Sequence, residues 1–82
     1  MTGQRNQIAI IDDETDIAKL FSEGLEMAGF KTIAFDDPED AIEYISVNHS
    51  KIALTTVDWW MPLMDGFRIM KLISDIDSNI KV

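Results

Sequence analysis

Short apolar runs alternate with longer amphipathic segments along this chain of 82 residues. Such runs have the length and composition of strands that are buried on both faces of a sheet. They predict three strands, at residues 8–11, 31–35 and 52–57. Residues 80–82 repeat the pattern and predict the start of a fourth strand.

The segments that follow the first three runs carry apolar residues three and four positions apart, which predicts helices. The first helix covers about residues 15–28, with Gly29 at the position of a C-terminal cap. Its expected apolar stripe consists of Ile17, Leu20, Phe21, Leu25 and Ala28.

The other two helices carry N-terminal signals. Asp37 can cap the second helix and Pro38 suits its first position. Asp65-Gly66 opens the third helix, with Asp65 as the expected cap and Gly66 allowing a tight entry. Their apolar residues are Ala41, Ile42, Ile45, Phe67, Ile69, Met70 and Ile73.

The order β-α-β-α-β-α-(β) with short connections predicts a parallel sheet with helices on both faces, a doubly wound α/β fold. Eighty-two residues suffice for one domain, so we expect a single unit over residues 1–82 with a polar N-terminal tail at 1–7. The formal net charge of −8 disfavours binding to nucleic acid and to anionic membranes. Cysteine is absent and the N-terminus lacks a signal-peptide pattern, so we expect an intracellular protein.

Acidic residues follow two of the predicted strands. Asp12 and Asp13 come directly after the first strand, and Asp58 comes directly after the third. If these strands are neighbours, the three carboxylates meet at one edge of the sheet, where open α/β sheets bind ligands. A hard cation would offset their mutual repulsion, so the sequence predicts a magnesium site.

Two segments, Ile10-Ile11-Asp12-Asp13-Glu14 and Asp58-Trp59-Trp60-Met61-Pro62-Leu63-Met64-Asp65-Gly66, resemble the receiver domain of bacterial-type response regulators. The family's fold is flavodoxin-like, and its members accept a phosphoryl group in two-component signalling. The resemblance covers the chain after its tail, but only the first part of the family's domain, so we expect an incomplete sheet.

The resemblance implies a role for each matching residue. Asp58 would be phosphorylated by a histidine kinase or a phosphotransfer protein, in the cytoplasm and without enzymatic turnover by this chain. Asp12, Asp13, Asp58 and the backbone carbonyl of Trp60 would bind Mg²⁺ or Mn²⁺. Pro62, Asp65 and Gly66 would stiffen the loop and the helix entry beside the site. The family's hydroxyl residue on the fourth strand and lysine on the fifth would lie beyond Val82.

Two other functions stay open. A binding-only pseudo-receiver would dock to a partner or to itself without being phosphorylated. An aspartate-nucleophile phosphohydrolase is a weaker match, because its Asp-x-Asp pattern would need an aspartate where Glu14 stands. We also expect self-association through an unfinished sheet on the side of the third strand. His49 is expected to be a surface residue without a partner, and Thr55 a strand former.

Overall fold

The computed structural model describes residues 5–58 and 65–82, and they form the predicted α/β fold. The strands are β1 (Gln7–Ile11), β2 (Lys31–Phe35) and β3 (Ile52–Val57). The helices are α1 (Thr15–Met27), α2 (Pro38–Asn48) and α3 (Gly66–Ile76), with a 3₁₀ turn at His49–Lys51. The strands are parallel in the order β2-β1-β3, so the two acid-bearing strands are neighbours as predicted.

Strand β1 lies in the centre of the sheet and is buried on both faces, as its continuous apolar run predicts. On one face Ile8 and Ile10 pack with Ala18 of α1. On the other face lies the larger core, which α2 and α3 cover. Its buried members are Ala9, Ile11, Ala41, Ile45, Ile52, Ile69, Ile73 and Ile80.

The helix boundaries follow the signals in the sequence. The side chain of Asp37 accepts a hydrogen bond from the backbone N–H of Glu39 at 2.9 Å, and Pro38 opens α2. Gly29 follows α1 with a φ of +99°, a conformation that residues with a Cβ rarely adopt. Helix α2 ends at Asn48, and the 3₁₀ turn His49–Lys51 leads directly into β3.

Two expectations about the N-terminal third were wrong in detail. Strand β1 begins at Gln7, inside the expected tail, because Gln7 pairs with Lys31 and accepts a hydrogen bond from the Tyr44 hydroxyl at 2.8 Å. The apolar stripe of α1 is also buried only in part. Its member Leu25 packs with Ala18 against the sheet, whereas Ile17, Leu20 and Phe21 are largely exposed.

The predicted start of a fourth strand is a single bridging residue. Lys81 pairs with Leu54 beside β3, and its backbone forms hydrogen bonds with Ala53 and Thr55. Phe67 in α3 is exposed, unlike Ile69 and Ile73. Within the described residues, no helix has the length and apolar character needed to cross a membrane.

Candidate metal and phosphoryl site

The carboxyl ends of β1 and β3 are held level by the sheet. Ile11 is in register with Phe35 on one side and with Val57 on the other. The backbone N–H of Asp12 donates to the carbonyl of Phe35 at 3.0 Å, and that of Asp58 donates to the carbonyl of Ile11 at 2.8 Å. The ladder therefore fixes the backbone of the first residue beyond each of these two strands.

This alignment brings the three predicted carboxylates together. One carboxylate oxygen each from Asp12, Asp13 and Asp58 lies within 4.8 Å of the others, as expected from the strand order. Asp13 is exposed, and the other two are half-buried. Asp12 also accepts a hydrogen bond from the backbone N–H of Glu14 at 2.9 Å, which shapes the turn into α1.

Partial desolvation and neighbouring negative charge both affect the acidity of Asp13. The pKa of Asp13 is raised from its ordinary value of 3.8, first by partial desolvation and then by the hydrogen bond and charge of the Asp58 carboxyl. Three oxygen donors that repel one another when ionised suit a small, hard dication, which prefers carboxylate ligands together with water. The donor set therefore fits Mg²⁺ or Mn²⁺.

The remaining predicted site residues divide into two groups. Trp60 and Pro62 lie outside the described residues, so their roles stay predictions. Asp65 is the cap of α3, since its side chain accepts a hydrogen bond from the backbone N–H of Arg68 at 2.9 Å. Gly66 is the buried first residue of that helix. Asp65 does not belong to the carboxylate group.

Two grooves open beside the carboxylates. One, of about 420 Å³, includes Asp12 together with Thr15, Lys19 and Ser22 of α1. The sequence reasoning missed Lys19 as a neighbour of the site, although its spacing from Thr15 and Ser22 places all three on one helix flank. The other, of about 210 Å³, includes Asp58 and Phe21. Both grooves offer access to the acidic edge of the sheet.

A second polar cluster lies at the opposite, amino end of the strands. His49 Nδ1 is 2.8 Å from Asp77 Oδ2, so the expectation that His49 lacks a partner was wrong. Arg5 donates to the same carboxylate oxygen at 2.9 Å. Hydrogen bonds from His49, from the backbone of Asn79 and from Arg5 lower the pKa of Asp77 from 3.8 to about 2. This cluster joins elements of the fold and is separate from the acidic site.

Comparison with known proteins agrees with this geometry. The family model described as the response regulator receiver domain matches residues 8–82. Among curated proteins, the chain is 29% identical over 76 residues to the response regulator receiver protein CpdR of Brucella abortus, covering 93% of this chain and 62% of that protein. It is 36% identical over 67 residues to the regulatory protein VanRc of Enterococcus gallinarum, covering 82% and 28% respectively.

Solved structures give the same result. A receiver domain protein from Clostridium thermocellum superposes with a TM-score of 0.86 at 24% identity, covering 90% of this chain and 59% of that one, which shows a shared fold. The crystal structure of the CheX-CheY-BeF3-Mg+2 complex from Borrelia burgdorferi gives a TM-score of 0.84 at 29% identity, covering 96% and 60%. The chain thus spans less than two thirds of the length of these relatives.

Proposed function

We propose that this chain, which belongs to the response regulator receiver domain family, accepts a phosphoryl group on Asp58 in two-component signalling. The observation that carries the proposal is the meeting of Asp12, Asp13 and Asp58 at the carboxyl ends of adjacent parallel strands. Exposed acids are common on protein surfaces, but these three are brought together by strand pairing and are reached through two grooves.

In the proposed reaction, Asp58 is the nucleophile. A carboxylate oxygen of Asp58 attacks the phosphorus of a phosphohistidine, the P–N bond breaks, and the imidazole leaves and takes up a proton. The product on this chain is a mixed anhydride of phosphate and carboxylate. The hydrogen bond of 2.8 Å from the Asp58 backbone to Ile11 supports the proposal, because it holds the nucleophile's backbone in a defined position at the end of β3.

We assign Mg²⁺ or Mn²⁺ to Asp12, Asp13 and Asp58, together with the carbonyl of Trp60. When bound, the metal would neutralise charge on the transferring phosphoryl group. The raised pKa of Asp13 supports this assignment: after partial desolvation, its causes are the hydrogen bond and the charge of the neighbouring Asp58 carboxyl. The proposed ligands supply fewer donors than Mg²⁺ takes, so water and phosphate oxygens would complete its coordination.

The proposed phosphodonor is a histidine kinase or a phosphotransfer protein, and the proposed location of the reaction is the cytoplasm. The Borrelia burgdorferi structure, a complex containing a related chain, supports a role in protein–protein signalling. We propose no substrate turnover by this chain. This proposal differs from the phosphohydrolase alternative in its prediction for a generic phosphoester assay. A hydrolase would release phosphate over many turnovers, whereas a phosphoacceptor would not.

The test is incubation with acetyl phosphate and Mg²⁺, followed by mass spectrometry of the intact protein and its peptides. We expect one added phosphoryl group, located on Asp58 and absent from Asp58→Asn. Asp36→Asn is the matched control, because Asp36 follows strand β2 in the same way but lies outside the carboxylate group. Modification of Asp58→Asn, or of a different residue in the natural sequence, would contradict the assignment. A folded chain that takes up no phosphoryl group from acetyl phosphate or from a phosphohistidine protein would favour the binding-only alternative.

A further inference from the structure

A groove between helix α1 and the end of strand β2 leads to the carboxylate group. Its volume is about 420 Å³, and Asp12 belongs both to its lining and to the carboxylate group, so the groove adjoins the proposed metal site. Thr15, Lys19 and Ser22 line it from α1, at spacings of four and three residues that place them on one flank of the helix. We call this cavity the Lys19 groove.

Lys19 is a charged residue of this groove to which neither the fold nor the proposed metal site gives a role. Within residues 5–58 and 65–82 its ammonium group forms no ion pair, although Asp12 and Asp36 line the same groove. The ammonium is therefore available to an anion from solution. Ala18 and Phe35 add apolar surface to the lining. A small anion with a short apolar part fits this combination of side chains.

The position of the groove relative to Asp58 gives it a role in phosphoryl transfer. Strand β1 separates β2 from β3, and the groove is lined by Phe35 at the end of β2, whereas Asp58 follows β3. Because neighbouring strands are about 4.8 Å apart, Asp58, Asp12 and the groove follow one another along the edge of the sheet. Phosphoryl transfer needs the attacking and the leaving atom roughly in line on opposite sides of the phosphorus. With the phosphoryl group beside Asp12, the groove lies on the side of the leaving group.

We propose that the Lys19 groove is the leaving-group subsite for a small acyl phosphate, and that Lys19 binds the carboxylate that leaves. This role rests on the proposed phosphorylation of Asp58. A carboxylate oxygen of Asp58 attacks the phosphorus, the bond between the phosphorus and the acyl oxygen breaks, and its electron pair stays on the leaving carboxylate. No proton moves, and the total charge is unchanged. The ammonium group stabilises the charge that develops on the leaving oxygen, while the short acyl chain contacts Ala18 and Phe35.

The charges in the groove make anion binding depend on the dication. Asp12 and Asp36 together outweigh Lys19, so the groove without a bound dication disfavours an anion. Asp12 no longer opposes the anion once its charge is neutralised at the proposed metal site. Lys19 then faces Asp36 alone, and Asp36 is exposed, so its charge is screened by water. We therefore expect an acyl phosphate to bind in the presence of Mg²⁺ and only weakly without it.

The test compares two small phosphodonors with different leaving groups in the presence of Mg²⁺. Acetyl phosphate releases acetate, an anion that Lys19 can bind, whereas phosphoramidate releases ammonia, which gains nothing from a neighbouring ammonium group. Lys19→Gln should lower the rate of Asp58 phosphorylation by acetyl phosphate about fivefold, the upper range for one exposed ion pair, and leave the rate with phosphoramidate unchanged. Lys19→Arg should keep most of the acetyl phosphate rate, because it keeps the charge. Lys71→Gln is the matched control, since it removes the same charge from an exposed position on α3 outside the groove.

Binding is measured separately with acetonylphosphonate, in which a methylene group replaces the bridging oxygen so that no transfer occurs. With Mg²⁺ present, it should shift the backbone amide NMR signals of Thr15, Lys19 and Ser22, and Lys19→Gln should weaken its binding.

Three results would overturn the leaving-group role. They are unshifted amides, equal losses of rate with both donors in Lys19→Gln, and an unchanged acetyl phosphate rate in that variant. In each case the phosphorylation of Asp58 in the natural sequence would still support the proposed function. If neither donor modifies Asp58, the proposed function fails and the leaving-group role fails with it, and shifted amides would then identify the groove as an anion site only.

Discussion

Arg5 and Asp77 form an ion pair of 2.9 Å that joins the segment before β1 to the residue after α3. The same guanidinium donates to the backbone carbonyls of His49 and Ile52, at 3.0 and 3.2 Å. These partners lie before and at the start of β3. One arginine therefore connects three parts of the chain at the amino ends of the strands.

Replacing Arg5 by alanine should destabilise the fold. The change leaves two carbonyl acceptors without this donor, and a loss of about 1 kcal/mol is expected for such hydrogen bonds. For a domain of this size, that corresponds to a melting temperature lower by about 4–8 °C. Arg5→Lys is the control, because lysine keeps the charge but cannot reproduce the fork of donors. It should recover only part of the loss in a thermal unfolding experiment. Equal stability of all three proteins would show that the cluster is an incidental surface contact.

Stability should also fall in acid because of Asp77. Its pKa is about 2 in the folded chain, against an ordinary value of 3.8, owing to hydrogen bonds from His49, Asn79 and Arg5. Since the folded value is the lower one, the contribution is complete above about pH 4 and is lost as the pH falls towards 2. Urea unfolding between pH 2 and pH 5 should show this decline. In Asp77→Asn the decline over this window should be shallower, and an unchanged slope would contradict the assignment.

The sequence predicted the order of the elements because each one carries a local signal. Asp37, Asp65 and Gly29 act as caps within a few residues of their own helix, so no tertiary information was needed to recognise them. The meeting of Asp12 with Asp58 was also predictable, because it follows from the general rules for parallel sheets.

Features that depend on distant contacts were missed. Nothing near His49 in the sequence indicates Asp77, which lies 28 residues further on. The apolar stripe of α1 was recognised, but most of it does not pack against the sheet. Helical periodicity identifies apolar residues on one side of a helix, but it does not say whether the sheet or another surface will cover them. Here the sheet covers Ala18 and, of the stripe, Leu25, while Ile17, Leu20 and Phe21 stay exposed.

Removing the carboxylate of Asp13 should affect stability in two distinguishable ways, through repulsion without metal and through metal binding. Asp13→Asn is expected to stabilise the protein without metal, because desolvation and the neighbouring Asp58 carboxyl both disfavour the ionised Asp13 and raise its pKa. Mg²⁺ should stabilise the natural sequence by about 1.4 kcal/mol at ten times its Kd and have a much smaller effect on the variant. Thermal unfolding with and without Mg²⁺ measures both effects, and Asp36→Asn serves as the control. If Mg²⁺ stabilises the natural sequence and Asp13→Asn equally, Asp13 does not belong to the proposed ligand set.

Thr55 gives a prediction about the core beneath the site. Its side chain is fully buried on β3, and its hydroxyl has no hydrogen-bond partner among the residues that the structure describes. Burying a hydroxyl without a partner costs about 1–3 kcal/mol, which the favourable packing of the strand must offset. Valine has nearly the same shape without the hydroxyl, so Thr55→Val should stabilise the fold by about 1 kcal/mol and raise the melting temperature by about 4–8 °C.

The matched variant for this position is Thr55→Ser, which keeps the hydroxyl and removes the methyl group. It should destabilise the protein by about 1 kcal/mol, because the lost methyl leaves a small cavity and the polar atom stays buried. Urea unfolding of the three proteins gives the order valine, threonine, serine from most to least stable. A valine variant that is less stable than the threonine protein would mean that the hydroxyl has a partner in solution, such as a buried water molecule. Removing a hydroxyl lowers the stability only where that hydroxyl forms a hydrogen bond.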